Sequence, residues 1–154
     1  AKMYGIEYKE AKQLTFKMLY SGNFGKYSNL EFFSKAQDFT NILWEDFNNQ
    51  GYIECPISKY RFKKDTLDNM TPSKLLNYLL QNLETSNNVI ILCKIFKLLK
   101  EHNTKLVLYN FDSFLFDFDR TEKKLFNDLK NIFSERELKI KISYGVNYSS
   151  LQSL

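Results

Sequence analysis

The chain has 154 residues, of which 44% are hydrophobic and 16% aromatic, so the sequence excludes a disordered segment and predicts an ordinary folded domain. Its formal net charge of +4 permits nucleic-acid binding without demanding it. No apolar run approaches the roughly 18 residues of a membrane-spanning helix, so no membrane partner is expected. Cys55 and Cys93 lie far apart and His102 is the single histidine, which argues against a structural zinc site and predicts reduced, buried thiols.

The first third of the chain is predicted to be helical. Apolar spacing predicts a first helix over residues 6–19, followed by a loop over residues 21–25. A second helix is predicted to begin with Ser28 or Asn29 as its cap, to run to about Asn49, and to end at Gly51. Its apolar positions step by three or four: Leu30, Phe33, Ala36, Phe39, Leu43 and Phe47.

The rest of the chain alternates short strands with helices. Residues 52–62 are typical of a strand pair, and Thr71-Pro72 predicts the start of a helix over residues 73–101 in one or two pieces. The remaining elements are predicted in this order: strands over residues 106–109 and 113–118, a helix over residues 122–133, and a final strand over residues 139–144. The predicted fold class is therefore α+β, with helices between short antiparallel strands.

Three residues of the first helix are candidates for nucleotide binding. Lys12, Phe16 and Tyr20 are four residues apart, and each step of about 400° returns to the same helix face. An ammonium group, a flat ring and a phenol on one face suit the phosphates, sugar and base of a nucleotide. The alternative is an amphipathic helix whose aromatic rings lie in the core.

Asp112 is a candidate metal ligand because it lies at the predicted turn between two apolar strands. Mg²⁺ prefers carboxylate oxygens and takes its remaining ligands from waters and substrate phosphates. The alternative is a turn aspartate that forms local hydrogen bonds. Asp117 and Asp119 are expected to be surface charges.

Two further groups suit nucleic acid. Residues 58–64 interleave basic and aromatic side chains at a predicted hairpin, including Lys59 and Arg61, which suits phosphate and sugar contacts. Asn77 and Gln81 are four residues apart on one helix face, where their amides suit minor-groove acceptors. The alternatives are a solvated basic strand end and two surface amides.

The order of these blocks resembles family A (DNA polymerase I-like) DNA polymerases over nearly the whole chain. Residues 10–21 resemble the fingers-helix motif, and residues 51–62 resemble the Gly-Tyr-Val-Glu-Thr strand that leads into a basic hairpin. Asn77 and Gln81 match the palm-helix pair. Residues 110–113 occupy the place of the His-Asp-Glu signature, and the last predicted strand with its Tyr-Gly-x-Asn-Tyr ending is similar to phage-like members.

The resemblance implies fingers helices over residues 1–50 and the carboxy-terminal part of a palm over residues 51–154, in a single truncated polymerase module. It implies nucleotidyl transfer from a dNTP to a primer 3′ end with two Mg²⁺ ions, in the cytoplasm of a bacterial host or in an organelle. The implied nucleotide-binding residues are Lys9, Lys12, Phe16 and Tyr20. The implied DNA-binding residues are Lys59, Arg61, Asn77 and Gln81. Asp112 is the implied metal ligand and, with Lys12, the implied catalytic residue.

Several positions depart from the family pattern: Tyr8, Ser21, Asn82, Phe111 and Ser113. The family's other metal-binding aspartate precedes the fingers helix, so the expected partners are primer–template DNA, dNTP and an upstream part of the polymerase. The isolated chain is expected to be inactive and to self-associate through its open sheet. Two alternatives stay open: a non-catalytic DNA-binding or partner-complementing module, and a relative of single-subunit RNA polymerases, whose Asp-Ser-Phe motif Asp112-Ser113-Phe114 also resembles.

Overall fold

The computed structural model describes residues 4–22 and 24–154 of the chain. By their internal contacts they form two compact units, one ending at Ser86 and the other comprising Asn87–Leu154. The strands pair as three separate two-stranded antiparallel sheets, which together with the helices confirms the α+β class. The elements are α1 (Tyr8–Ser21), α2 (Glu31–Gln50), β1 (Tyr52–Glu54), β2 (Arg61–Lys63), α3 (Pro72–Leu99), β3 (Lys105–Asn110), β4 (Ser113–Asp117), α4 (Lys123–Ser134), β5 (Ser143–Tyr144) and β6 (Gln152–Ser153).

The end of α2 confirms one predicted helix boundary, whereas its start corrects another. Gly51 adopts a left-handed φ of 77° and donates its backbone N–H to the Phe47 carbonyl at 3.1 Å, as a helix-ending glycine does. The predicted cap at Ser28 or Asn29 is wrong, because Leu30 holds the cap position without a side-chain hydrogen bond. A short 3-10 helix over Gly25–Tyr27 occupies part of the predicted loop, in which Asn23 lies outside the described residues.

The buried face of α2 differs from the predicted stripe at one position. Phe33, Leu43 and Phe47 are buried as predicted, but Phe39 is 48% exposed and Thr40 is buried in its place. The Thr40 hydroxyl donates to the Ala36 carbonyl at 2.7 Å, so its burial leaves no unsatisfied donor.

The core of the first unit lies between α2, the β1–β2 hairpin and the first half of α3. Ile53 pairs with Phe62 across the hairpin, and both side chains point into this core. Cys55 is fully buried there. Burial raises the pKa of its thiol, but hydrogen bonds from Ser58, Ile57 and Ser86 together outweigh burial and leave the pKa lowered. Cys93 is exposed, so the prediction that it is buried is wrong.

The second unit packs the β3–β4 hairpin and α4 against the second half of α3. The buried residues of this core are Ile91, Ile95, Leu99, Leu125, Leu129 and Ile132. A polar clasp holds two loops of the unit together. Glu122 accepts hydrogen bonds from the backbone N–H groups of Asn103 at 2.9 Å and Thr104 at 3.0 Å, and its carboxylate lies 3.1 Å from His102 Nδ1.

The predicted strand over residues 139–144 is mostly wrong. Within this range only Ser143 and Tyr144 form a strand, which pairs with Ser153 and Gln152. Leu154 adds one backbone hydrogen bond, from its N–H to the Ile142 carbonyl at 2.9 Å. Residues 138–141 are exposed, so the alternating apolar side chains find no core to stabilise a longer strand. Within residues 4–22 and 24–154, no helix is both long and apolar enough to cross a membrane.

We expect Phe47→Ala to lower the free energy of unfolding by about 3–5 kcal/mol, because it opens a cavity in a packed core. Phe39→Ala on the same helix is the matched control, and we expect it to change the free energy by no more than about 0.5 kcal/mol. Urea unfolding of both variants measures the difference. Equal losses would contradict the observed exposure of Phe39.

The clasp predicts an acid-sensitive contribution to stability. Burial raises the pKa of Glu122, but hydrogen bonds from Thr104, Asn103 and His102 outweigh it and lower the pKa from 4.5 to about 2. A carboxylate with a lowered pKa stabilises the fold above pH 4.5, and this contribution is lost as the pH falls toward 2. We therefore expect Glu122→Gln to be less stable than the wild type at neutral pH and the difference to shrink in this acid range.

Urea midpoints measured across that pH range test the expectation, with Glu101→Gln as an exposed control. Asp119 also has a lowered pKa, because it accepts hydrogen bonds from Thr121. Its acid-dependent contribution is present in both the wild type and Glu122→Gln, so the difference between the two proteins reports Glu122 alone. A stability gap between wild type and Glu122→Gln that stays constant into acid would contradict the assignment.

Candidate functional site

The α1 residues predicted to bind nucleotide lie together on the solvent side of the helix. The Lys12 ammonium lies 5.8 Å from the centroid of the Phe16 ring. Phe16 and Tyr20 stack with centroids 6.1 Å apart and planes 19° apart. The two rings are 46% and 52% exposed, whereas Ala11 and Met18 on the same helix are buried. The alternative in which these rings form the core is therefore wrong.

Lys9 belongs to the same face by helix geometry. It precedes Phe16 by seven residues, which corresponds to about two full turns, and it is exposed. Tyr8, which stands where the family pattern has arginine, is 72% exposed. The face therefore carries two lysines and three aromatic rings along α1, which we call the α1 face: Tyr8, Lys9, Lys12, Phe16 and Tyr20.

Asn77, near the start of α3, forms a hydrogen bond to the last residue of the α1 face, Tyr20. Its Nδ2 donates to the Tyr20 carbonyl at 3.4 Å, while its Oδ1 is buried with no hydrogen-bond partner among the described residues. Nearby, Gly22 ends α1 with a left-handed φ of 66°, and a Cβ at this position would lie 3.1 Å from Ser73 Cβ. The structure thus brings Tyr20 and Asn77 together. Gln81, one turn further along α3, is exposed.

The outward face of the β1–β2 hairpin carries the predicted DNA-binding cations together with an acid. Arg61 lies opposite Glu54, and its Nε donates to the Glu54 carboxylate at 3.0 Å, which raises the pKa of the guanidinium. Lys59 Nζ lies 3.9 Å from the other Glu54 oxygen. The Arg61 guanidinium also lies 4.7 Å from the centroid of the Tyr52 ring. One carboxylate therefore partly neutralises both cations, more closely for Arg61 than for Lys59.

An open cleft of about 490 Å³ adjoins this face. Its lining includes Tyr52, Arg61, Lys63 and Lys64, of which Lys64 also donates to Asn48 Oδ1 at 2.8 Å. Sequence reasoning singled out the basic hairpin but missed Tyr52. The period-two alternation that places residues 52, 54, 61 and 63 on one side of the hairpin was the signal that could have found it.

Asp112 lies at the tip of the β3–β4 hairpin, in the second unit. Asn110 pairs with Ser113, and the two residues between them form the turn. Phe111 has a left-handed φ of 52° and is 81% exposed, and Asp112 beside it is also exposed. The position of Asp112 agrees with the sequence-based expectation of an acid at a hairpin turn.

The other acids near this hairpin do not gather around Asp112. Asp119 is not a simple surface charge, because it accepts hydrogen bonds from Thr121 Oγ1 at 2.7 Å and from Asn103 Nδ2 at 3.1 Å. Among the residues that the structure describes, no group of three or more His, Cys, Asp or Glu side chains is arranged to hold a metal ion.

Sequence reasoning missed a polar triplet in the middle of α3. Ser86 donates to the Asn82 carbonyl at 2.6 Å, Asn87 Oδ1 accepts from Arg136 Nε at 2.6 Å, and Asn88 Nδ2 donates to the Phe111 carbonyl at 3.0 Å. Three consecutive residues of modest helix propensity inside an apolar helix were the available signal.

Comparison of the chain with protein families, with curated proteins and with solved structures found no match.

Proposed function

We propose that this chain is the fingers and palm part of a template-directed DNA polymerase of the family A type, which binds a dNTP and primer–template DNA. The observation that carries the proposal is the exposed row of Lys12, Phe16 and Tyr20 on the α1 face. Aromatic side chains of a merely amphipathic helix would lie on the buried side with Ala11 and Met18. Their exposure leaves a cation and two flat rings available to a ligand that has phosphates, a sugar and a base.

Different residues of the α1 face are proposed to contact different parts of the nucleotide. The ammonium groups of Lys12 and Lys9 neutralise the triphosphate, and the Phe16 ring packs on the incoming sugar and base. The Lys12 ammonium lies 5.8 Å from the centroid of the Phe16 ring, so a charged group and a flat ring are side by side on the exposed face. Tyr20 closes the row beside Asn77, at the end of the face that would meet the template–primer end.

The basic hairpin supports binding of the DNA backbone. Arg61 and Lys59 are held by Glu54, and Lys63 adds a further cation on the same side. Phosphate contacts of this kind are independent of sequence, as template-directed synthesis requires, and they weaken as the salt concentration rises. Gln81 is the exposed amide available to the minor groove. Asn77 reaches DNA only if its amide leaves the Tyr20 carbonyl.

Nucleotidyl transfer of this class needs a site for two Mg²⁺ ions, and the described residues alone do not form one. Asp112 offers one exposed carboxylate, whereas two-ion catalysis needs several ligands around both ions. The donor set therefore does not fit a pair of Mg²⁺ ions, and we assign no step to them. The proposal instead includes an upstream part of the polymerase that contributes the missing carboxylate beside Asp112.

A second candidate function is a DNA-binding or partner-complementing module without catalysis. The observation in its favour is the same single carboxylate, flanked by Phe111 and Ser113 instead of the His and Glu of the family signature. Both candidates bind DNA, and they differ in whether an upstream polypeptide restores nucleotidyl transfer. Under the polymerase proposal, that activity belongs to the cytoplasm of a bacterial host or to an organelle.

Self-association stays part of the proposal. Each sheet has two strands, so both outer edges of the β3–β4 hairpin lack a strand partner among the described residues. Val107 and Leu108 on β3 are 60% and 48% exposed. An open edge with apolar side chains favours pairing with a second chain.

The α1 face predicts a loss of nucleotide binding on substitution. Lys12→Ala removes a charge-assisted phosphate contact, so we expect the dissociation constant for a dNTP to rise by about tenfold. Phe16→Ala removes a stacking surface and should act in the same direction. Lys17→Ala is the control, since residue 17 lies about 140° around the helix from residue 12. NMR titration of the labelled chain measures all three, and equal effects of Lys12→Ala and Lys17→Ala would refute the proposed nucleotide contact.

The pure chain is expected to bind primer–template DNA but not to extend it. Arg61→Ala should weaken binding and reduce the slope of log affinity against log salt by about one, because one phosphate contact is lost. Lys35→Ala, which removes an exposed cation on α2, should leave the slope unchanged. Fluorescence anisotropy measures binding, and a primer-extension assay measures synthesis. Steady extension by the pure chain would disprove the need for an upstream partner, and no binding at low salt would argue against a polymerase.

A further inference from the structure

Asn88 is a buried amide whose hydrogen bond ends at the tip of a hairpin. It lies inside α3 and is 8% exposed. Its Nδ2 donates to the backbone carbonyl of Phe111 at 3.0 Å, across 23 residues of sequence. A buried polar side chain in a helix is unfavourable unless it is hydrogen-bonded. The bond to Phe111 therefore offsets the cost of burying the Asn88 amide.

The residue that receives this hydrogen bond has a strained backbone. Phe111 adopts a φ of 52°, a region that side chains other than glycine, asparagine and aspartate seldom occupy. Burial of the ring does not compensate, because the side chain is 81% exposed. Ser113 Oγ donates to the Asn110 carbonyl at 2.9 Å and closes the turn from the other side. The hydrogen bond from Asn88 thus restrains this turn from outside the hairpin.

We propose that Asn88 is a positioning residue that locks the Phe111–Asp112 turn and so presents the exposed Phe111 ring for stacking on a base of bound primer–template DNA. This inference rests on the proposed function for its ligand, but not for the role of Asn88 in the turn. A flat exposed ring suits stacking on a base or sugar, and it lies next to the one acid that the hairpin tip offers. A fixed turn spares the ordering cost that a mobile tip would incur on binding.

The chemistry of the contact selects the test variant. Asn88→Asp keeps the shape of the side chain but replaces the donor with an oxygen that repels the Phe111 carbonyl. Asn87→Asp is the matched control on the preceding residue, whose Oδ1 accepts from Arg136 and makes no contact with the turn. Phe111→Gly provides a second test, because glycine adopts a left-handed φ without strain.

Amide hydrogen exchange of the full 154-residue chain tests the positioning role directly. We expect Asn88→Asp to speed exchange at Asp112 and Ser113 by about tenfold, with exchange in α4 unchanged. Asn87→Asp should leave the tip unchanged. In the Phe111→Gly background the effect of Asn88→Asp should fall below about twofold, because the turn no longer needs the restraint. Unchanged exchange at the tip in Asn88→Asp, or an equal effect in both backgrounds, would overturn the inference.

Binding of a primer–template to the same variants tests the ligand. We expect Asn88→Asp to raise the dissociation constant by about tenfold and Asn87→Asp to leave it within about twofold. Wild-type affinity in Asn88→Asp, alongside faster exchange at the tip, would overturn the assignment of the ligand and leave the turn assignment standing. If the wild-type chain binds no primer–template at all, the proposed function fails, and the exchange experiment still decides the role of Asn88.

Discussion

One helix, α3, supplies apolar side chains to the cores of both units, and its polar middle must therefore be satisfied by hydrogen bonds. Leu75 and Leu79 belong to one buried cluster, and Ile91 and Ile95 to another. Residues 86–88 lie between these positions. A buried amide without a partner costs about 1–3 kcal/mol, which a small domain cannot easily offset. Ser86 bonds within the helix, whereas Asn87 and Asn88 bond to Arg136 and to Phe111, which are distant in sequence. The buried Asn88 amide thereby ties the helix to the hairpin tip.

Each candidate functional surface has side chains in an arrangement that is unusual for a folded domain. On the α1 face, aromatic rings stay in solvent beside lysines instead of joining the core. On the β1–β2 hairpin, two cations, Lys59 and Arg61, lie within 4 Å of the single Glu54 carboxylate. At the β3–β4 tip, a phenylalanine is exposed and left-handed. Departures of this kind are common at ligand sites, because exposed rings and charges and a strained backbone can make favourable contacts when a ligand binds.

Individual residues show how far sequence patterns predict the fold. Gly51 was predicted correctly as a helix end because its left-handed φ follows from the lack of a Cβ atom. Phe39 is exposed although its spacing fits the apolar stripe, since Thr40 takes the buried position and its hydroxyl bonds to the Ala36 carbonyl. The strand over residues 139–144 was overestimated because alternation signals a strand only where a core covers one face. Asn88 was missed because its partner lies 23 residues away and no short-range pattern reveals it.

The sequence by itself determined helices α1 to α4 and the β1–β2 and β3–β4 hairpins, but not the β5–β6 pair. It also determined the shared face of Lys12, Phe16 and Tyr20 and the location of Asp112 at a turn, because each follows from periodicity or from local backbone preference. Only the tertiary structure decided which side of α1 is exposed, that Lys59 and Arg61 share one carboxylate, and that Asn77 is tied to the Tyr20 carbonyl. It also decided that a buried amide holds the turn beside Asp112. These features depend on contacts between residues distant in sequence, and the free energy of such contacts is set by burial and hydrogen bonding in the folded chain.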